Sequence, residues 1–489
     1  MRNRGDAYSP KACDRKRDIR QTAFFAFIPV AFVGEKWFFE TNLSDFLPLG
    51  ATEPRHTEKK EDSKKYFVLF CFSLTLHYLC DMMNIYTLTS PLHDARAVDE
   101  ATREFLSSLA VDYTLKGDDF SDYGSTMSII YVRTGGTEGL FARLLPSLRE
   151  RSNQPFYLLT SGKSNSLAAS MEILSYLRQQ GEEGEIIHGK PAYVTHRLEV
   201  LRLAHDARVA LRGMRFGVIG EPSDWLISSH TDDATILEKT GIEMVHIAMK
   251  ELTDAIATVS RVGTSASQHE KDEEEKAVEP TNGQGLEMEG AETIYRALKE
   301  LVSRHRLQGF TLRCFDLLST VRNTGCLALA RLNAEGIVSG CEGDVPTLLT
   351  MAIVKVLTGV SGFQANPARL DPETGEMLFA HCTIPLNMVE HYELDTHFES
   401  GIGVGIRGYM KEGAVTIVKV SGDLSRLFVA EGTLVRNQKE PDLCRTQQVV
   451  RLDDASQTNY FLTHPIGNHH VVVPGRWKEA IEAVFKART

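Results

Sequence analysis

Two carboxylates occupy the short turn Gly340-Cys341-Glu342-Gly343-Asp344-Val345-Pro346, between segments that read as buried: LALARLNAEGIVS before it and TLLTMAIVKVL after it. An ionised carboxylate in such surroundings needs a partner, a proton or a metal. Asp344 has a structural use. It is a good N-cap, and Pro346 falls in the first helical turn, where proline is tolerated. Glu342 lies outside that cap, at the end of a strand, where ligands bind in α/β sheets. It reads either as a ligand group or as half of a structural salt bridge.

Three histidines are candidates to join it. His381 lies in the short strand FAHCTIP, beside Cys382, which offers a second, soft donor. A lone histidine on a strand is more often a satisfied core or surface residue than a ligand. His469 and His470 are adjacent in GNHHVVVPG. Neighbours on a strand point to opposite faces, so at most one of the two faces a given site. One carboxylate and two imidazoles from separate strands suit a divalent ion such as Mn2+. The chain has no HExxH motif, EF-hand loop or tight Cys/His zinc spacing.

Other loops carry polar groups. RTGGTEG (133–139) and TSGKSNS (160–166) follow strands and offer hydroxyls, amides and backbone N–H groups to a polyol or an anion, though each also serves as an ordinary strand-to-helix loop. Ser223, Asp224 and Trp225 follow the strand at 215–219. THFESGIGVGIRG (396–408) contains GxGxxG but lacks a βαβ opening, so it reads as a turn-rich loop. His397 and Glu399 there either line a pocket or are solvated.

The elements that must position these groups alternate. From Asn84 to about residue 190, and again from Met214 to about 360, short apolar strands alternate with periodic helices, which implies two parallel sheets with crossovers. HRLEVLRLAHDARVALRG (196–213) is the connecting helix. SQHEKDEEEKAVEPTNGQG is acidic and without apolar period, a solvated insertion. After residue 360 the pattern becomes β-rich, and RWKEAIEAVFKA closes the chain as a helix. The expected class is α/β: two Rossmann-like domains over 83–213 and 214–360, then a β-rich domain over 361–489.

Length alone calls for about two to four domains in 489 residues. The 42% hydrophobic and 24% charged fractions are those of a soluble globular chain, and a formal charge of −11 argues against nucleic acid as partner. Eight scattered cysteines without CxxC fit a reducing compartment, so a cytoplasmic location is expected. Residues 1–82 stand apart. Their apolar runs, 23–33 and 66–80, are shorter than the about 20 residues of a spanning helix, so no stable membrane association is expected. A weak anchor, a targeting segment and translation from a miscalled start are the readings, with the last preferred.

Taken together and in order, RTGGTEG, SGKSNSLAAS, GVIGEPSDWLISS, GCEGDVPTLLTM, FAHCTIP, THFESGIGVGI and GNHH make residues 84–489 resemble the L-fucose/L-arabinose isomerase superfamily, in particular its fucose isomerase-like members. The resemblance implies aldose–ketose isomerisation through an enediolate, a divalent metal, usually Mn2+, and homo-oligomers that complete their sites between subunits. It makes Glu342 a metal ligand and catalytic acid/base, and His381 a ligand. It also makes His470 a ligand, with His469 as the alternative. Ser223, Trp225, Asn165, His469 and Glu399 are the expected sugar contacts. The chain departs from the family where a second catalytic carboxylate is due, because that position is Asn366. An amide oxygen can bind a metal, but an amide cannot shuttle a proton at neutral pH. Two further readings therefore stand beside the isomerase: a sugar-binding or regulatory protein on the same scaffold, and another metal-dependent lyase or isomerase acting on a modified sugar.

Overall fold

The computed structural model describes residues 82–263 and 287–486, and the backbone of two short strands, Val30–Val33 and Lys36–Phe39. Those two strands form an antiparallel hairpin within a unit spanning Met1–Leu79. The other readings for residues 1–82, and the acidic insertion, lie outside the described residues. Everything below concerns the second unit, Cys80–Thr489.

Its first sheet has five parallel strands in the order Tyr113–Gly117, Met83–Leu88, Ser128–Val132, Phe156–Leu159, Gly184–Ile187. Met83–Leu88 is buried along its whole length. Continuous burial is what a parallel strand covered by helices on both faces requires, and it explains why MNIYTL shows no polar alternation. The long helix Pro191–Leu211 then crosses to the second sheet. That sheet is also parallel, in the order Val338–Cys341, Gly309–Leu312, Arg215–Ile219, Glu243–Ile247. The chain order reverses between Arg215–Ile219 and Gly309–Leu312. Crevices at the carboxyl ends of strands beside such a reversal are where open α/β sheets bind ligands.

The β-rich end is a closed, six-stranded antiparallel barrel in the order Phe363–Leu370, Glu376–His381, Thr446–Leu452, Leu427–Asn437, Gly413–Val420, His470–Pro474. Closure removes the free sheet edges. The strand Phe363–Leu370 was not legible from GFQANPARL, because Pro367 interrupts the pattern. The structure accommodates that proline at a register shift between Pro367 and Arg369. A separate hairpin, His391–Asp395 with Gly405–Tyr409, takes up the end of the turn-rich loop.

The helix Val345–Thr358 joins the second sheet to the barrel. Eleven of its fourteen residues are buried, and it packs on the strands Gly309–Leu312 and Val338–Cys341, on the barrel strands Gly413–Val420 and His470–Pro474, and on Pro191–Leu211. A helix apolar all round is one enclosed by other elements. Its N-terminus is thereby held where the carboxyl edge of the second sheet meets the barrel.

Candidate metal centre

Asp344 caps that helix as its sequence predicts, with Oδ1 accepting from Thr347 N at 2.9 Å. Its other oxygen does more. Oδ2 lies 2.8 Å from His469 Nδ1 and 3.6 Å from Lys419 Nζ, and all three side chains are fully buried. Burial would raise the Asp344 pKa, but the Lys419 charge and the His469 contact outweigh it and hold the carboxyl well below the usual range. Lys419 Nζ also donates to Thr347 Oγ1 at 2.6 Å.

Glu342 and Gly343 follow the strand Val338–Cys341 with φ of +65° and +71°. Left-handed backbone costs a non-glycine residue about 1–2 kcal/mol, so the turn around Glu342 is held by its surroundings. Its carbonyl accepts from Ser223 N at 2.9 Å. Gly343 is required as glycine, because a Cβ there would lie 2.7 Å from Pro222 Cα and 2.8 Å from the Glu221 carbonyl oxygen. We predict that Gly343→Ala destabilises the protein by about 1–3 kcal/mol. Urea unfolding of the variant checks this, and an unchanged midpoint would show that the turn yields freely.

The Glu342 carboxylate is divided between two tasks. Oε2 accepts the indole N–H of Trp225 at 2.6 Å. Oε1 faces two imidazoles, His381 Nε2 at 3.6 Å and His469 Nε2 at 3.5 Å. The three ligand atoms lie within 4.8 Å of one another. Ligand atoms about 2.1 Å from a shared ion stand about 3.0–3.5 Å apart, so the spacing fits one cation. Each imidazole is anchored through its other nitrogen, His381 Nδ1 to Thr383 Oγ1 at 3.0 Å and His469 Nδ1 to Asp344. Such outer anchoring fixes ring orientation in metal sites. His469 Nε2 is buried and has no hydrogen-bond partner. A buried polar atom left unsatisfied is costly, and an ion would satisfy it. The buried Glu/His/His cluster has the donors and the spacing to bind a metal ion.

Electrostatics agree with that use. Burial alone would raise the Glu342 pKa, but the His469 charge and the close approach of both imidazoles pull the carboxyl far below the usual range. For His469, burial favours the neutral ring, and Glu342 and Asp344 reverse this, raising its pKa to about 9. A cation must therefore displace a proton from His469. The sign is fixed: below about 9 the ring is protonated, so apparent Mn2+ affinity should rise about tenfold per pH unit toward that value and flatten above it. Calorimetry in buffers of different ionisation enthalpy checks it, and affinity independent of pH would contradict it.

His470, expected at the metal, is not in this cluster. Its Nε2 lies 3.0 Å from the Tyr460 hydroxyl and its Nδ1 3.1 Å from the Asn468 carbonyl oxygen, among the rings of Phe428, Tyr460 and Phe461. Alternation explains the swap. His470 shares the parity of Val472, which packs with Phe363 and Phe379, whereas His469 shares that of Val471 and Val473, which pack with the helix Val345–Thr358. Burial, reinforced by Lys419, lowers the His470 pKa to about 3 and keeps the ring neutral. Cys382 also stays out of the cluster, with its buried Sγ accepting from Arg445 N at 3.5 Å.

The other expected residues divide. Trp225 touches Glu342 directly. Ser223 is buried beside it, and its Oγ has no hydrogen-bond partner. Glu399 is half exposed, with Oε2 3.7 Å from His397 Nε2. Burial and the charge of Glu342 raise its pKa. Asn366 Oδ1 accepts from Asn468 Nδ2 at 3.3 Å, one residue from His469. Asn165 starts the helix Ser166–Gln179, beside Gly135 at the first sheet, and among the described residues no contact ties it to Glu342. Phe315 was missed. Its ring bridges Trp225 and His397, at centroid distances of 4.9 and 5.6 Å, and makes one wall of the site. Burial first, then His381 and Arg445, lower the His397 pKa to about 4. Asp371, near the vacant carboxylate position, holds a surface turn through Glu373 N and Thr374 Oγ1.

The fold and site thus define an α/β chain with two parallel sheets, an antiparallel barrel and a buried Glu/His/His cluster between the second sheet and the barrel. Among known proteins the chain is similar to sulfoquinovose isomerases. It is 25% identical to that of Alkalicoccus urumqiensis over 222 residues, 45% of this chain and 49% of that protein. It is 23% identical to that of Priestia megaterium over 310 residues, 61% of this chain and 69% of that protein. The matches therefore span about half to two thirds of these relatives. No protein-family profile matches the chain. Among the described residues no helix is long and apolar enough to cross a membrane.

Proposed function

We propose that the protein is a metal-dependent aldose–ketose isomerase of the fucose/arabinose isomerase superfamily, and that its substrate is sulfoquinovose or a close relative of that sugar. The observation that carries the reading is His469, anchored through Nδ1 to the Asp344 carboxylate, with its Nε2, free of any hydrogen bond, aimed with His381 Nε2 at one oxygen of Glu342. The similarity to sulfoquinovose isomerases supports the choice of sugar. In this reading 83–213, 214–360 and 361–489 are three domains of a cytoplasmic homo-oligomer, and Asn165 meets sugar in a site completed between subunits.

Glu342, His381 and His469 would hold a divalent ion, Mn2+ in this proposal, which supplies Lewis-acid polarisation of the sugar carbonyl and acidifies the neighbouring C–H. The chain supplies the proton traffic. Isomerisation through an enediol needs one group to take a proton from carbon and one to return it to the next carbon. Asn366 can do neither. Glu342 stays ionised and is held by Trp225. Glu399, with its raised pKa, suits the other transfer, and His397, kept neutral by burial, sits beside it. Trp225 and Phe315 offer the sugar an apolar wall.

One observation favours a second reading: the Asn366 amide in the carboxylate position points to a sugar-binding protein without turnover. A single experiment separates the two. Chelator-stripped protein is reloaded with Mn2+ and incubated with sulfoquinovose and a panel of aldoses and ketoses. The ion is then removed and the sugars are read by proton NMR. Metal-dependent appearance of the partner ketose or aldose supports the isomerase. Saturable binding without conversion supports the second reading. Neither binding nor conversion of any sugar would sink both.

A further inference from the structure

A cavity of about 590 Å3 opens where the helix Pro191–Leu211 meets the ends of Glu138–Arg151, Asp233–Thr240 and Lys478–Phe485. Sites for small molecules have this size. In a chain of formal charge −11, four cations line it, Arg151, Arg208, Arg212 and Lys239, against two carboxylates, Glu150 and Glu238. Among the described residues none of the four cations pairs with a carboxylate. Arg208 donates to the Ala483 carbonyl oxygen at 2.9 Å and the Tyr157 hydroxyl at 3.4 Å. Lys239 donates to the Asp423 carbonyl oxygen at 3.0 Å. Arg151 donates to the Ser121 carbonyl oxygen and the Ser147 hydroxyl.

His205 and Arg208 are three residues apart on one face of their helix, and Arg212, the residue just past its end, lines the same cavity. The like charges of Arg208 and Arg212 repel each other unless something neutralises them. Burial, with the two guanidiniums adding to it, lowers the His205 pKa to about 4, so the ring faces the cavity as a neutral hydrogen-bonding group. Arg151, Arg208 and Lys239 each stand in the last turn of a helix, where a cation complements the macrodipole. That accounts for each alone. It does not account for their convergence with Arg212 on one cavity that also has an apolar side, made by Val209, Leu237 and Phe485.

We propose that this cavity is a binding site for a sugar phosphate, with the phosphate between Arg208 and Arg212 and the sugar body against the apolar side. Two excess positive charges match a phosphate dianion, and guanidinium forks suit its oxygens. The site shares no residue with the Glu342 cluster, so the proposal holds whether or not the chain is an isomerase.

The test is calorimetric titration of the full-length protein with fructose 6-phosphate, fructose and inorganic phosphate at low ionic strength. Fructose 6-phosphate should saturate one site, and fructose should not. Arg212→Gln and Lys239→Gln should each weaken it about tenfold, while Glu342→Gln should leave it unchanged. Melting curves of the two cavity variants confirm that they fold. The Arg212 guanidinium has no hydrogen-bond partner among the described residues, so its variant should melt as the wild type does. No binding at millimolar fructose 6-phosphate, or binding undiminished in both cavity variants, would overturn the site. Inorganic phosphate binding equally well would overturn the sugar body as part of the ligand.

Discussion

His469→Gln abolishes high-affinity divalent-ion binding, and His470→Gln leaves it intact: this pair of results follows from strand parity. His469 is the only one of the two whose ring reaches both Glu342 and Asp344. Its loss removes a candidate ligand atom and leaves Asp344 Oδ2 with Lys419 alone. The expected fall in Mn2+ affinity is on the order of a hundredfold or more. His470 instead hydrogen-bonds Tyr460 and packs among aromatic rings of the barrel. Its replacement leaves that partly buried hydroxyl with a poorer partner, so it costs about 1–3 kcal/mol of stability with no change in metal affinity. Mn2+ titration and urea unfolding of both variants separate the two effects. Equal loss of metal in both would mean that the cluster is not assembled as the side chains indicate.

Glu342→Gln is the second large effect. The amide keeps the shape and can still accept the Trp225 indole N–H. It removes the negative charge that faces both imidazoles and that draws the His469 pKa upward. In the proposed isomerase, turnover of the sugar should fall by a factor on the order of 10^3 or more, because the proposal gives Glu342 both a ligand and a proton-transfer role. Sugar affinity should fall with the metal. A variant that lost metal yet bound and converted sugar as the wild type does would show that the chemistry lies elsewhere.

Much of this arrangement is legible in the chain. Strand–helix alternation predicts the two parallel sheets, and Asp344 before Val345-Pro346 predicts the cap. The mismatch between a buried turn and a second carboxylate singles out Glu342. The choice between His469 and His470 was not legible, because VVVP is apolar on both faces and gives no parity signal. Only the packing of Val471 and Val473 on one side and Val472 on the other decides it. Lys419 carried a faint signal as a lone cation in the apolar strand VTIVKV, and its meaning depends on Asp344, 75 residues earlier in the sequence. Phe315 and Thr383 carried none, since an aromatic ring and a hydroxyl near strand ends are ordinary residues until the fold sets them beside Trp225 and His381.

The most direct measurement is anomalous diffraction from a crystal of the protein soaked in Mn2+, recorded above the manganese absorption edge. The account predicts one strong peak per chain, about 2.0–2.3 Å from Glu342 Oε1, His381 Nε2 and His469 Nε2. Density with no peak at that point, or with the ion ligated by His470 instead, would contradict it.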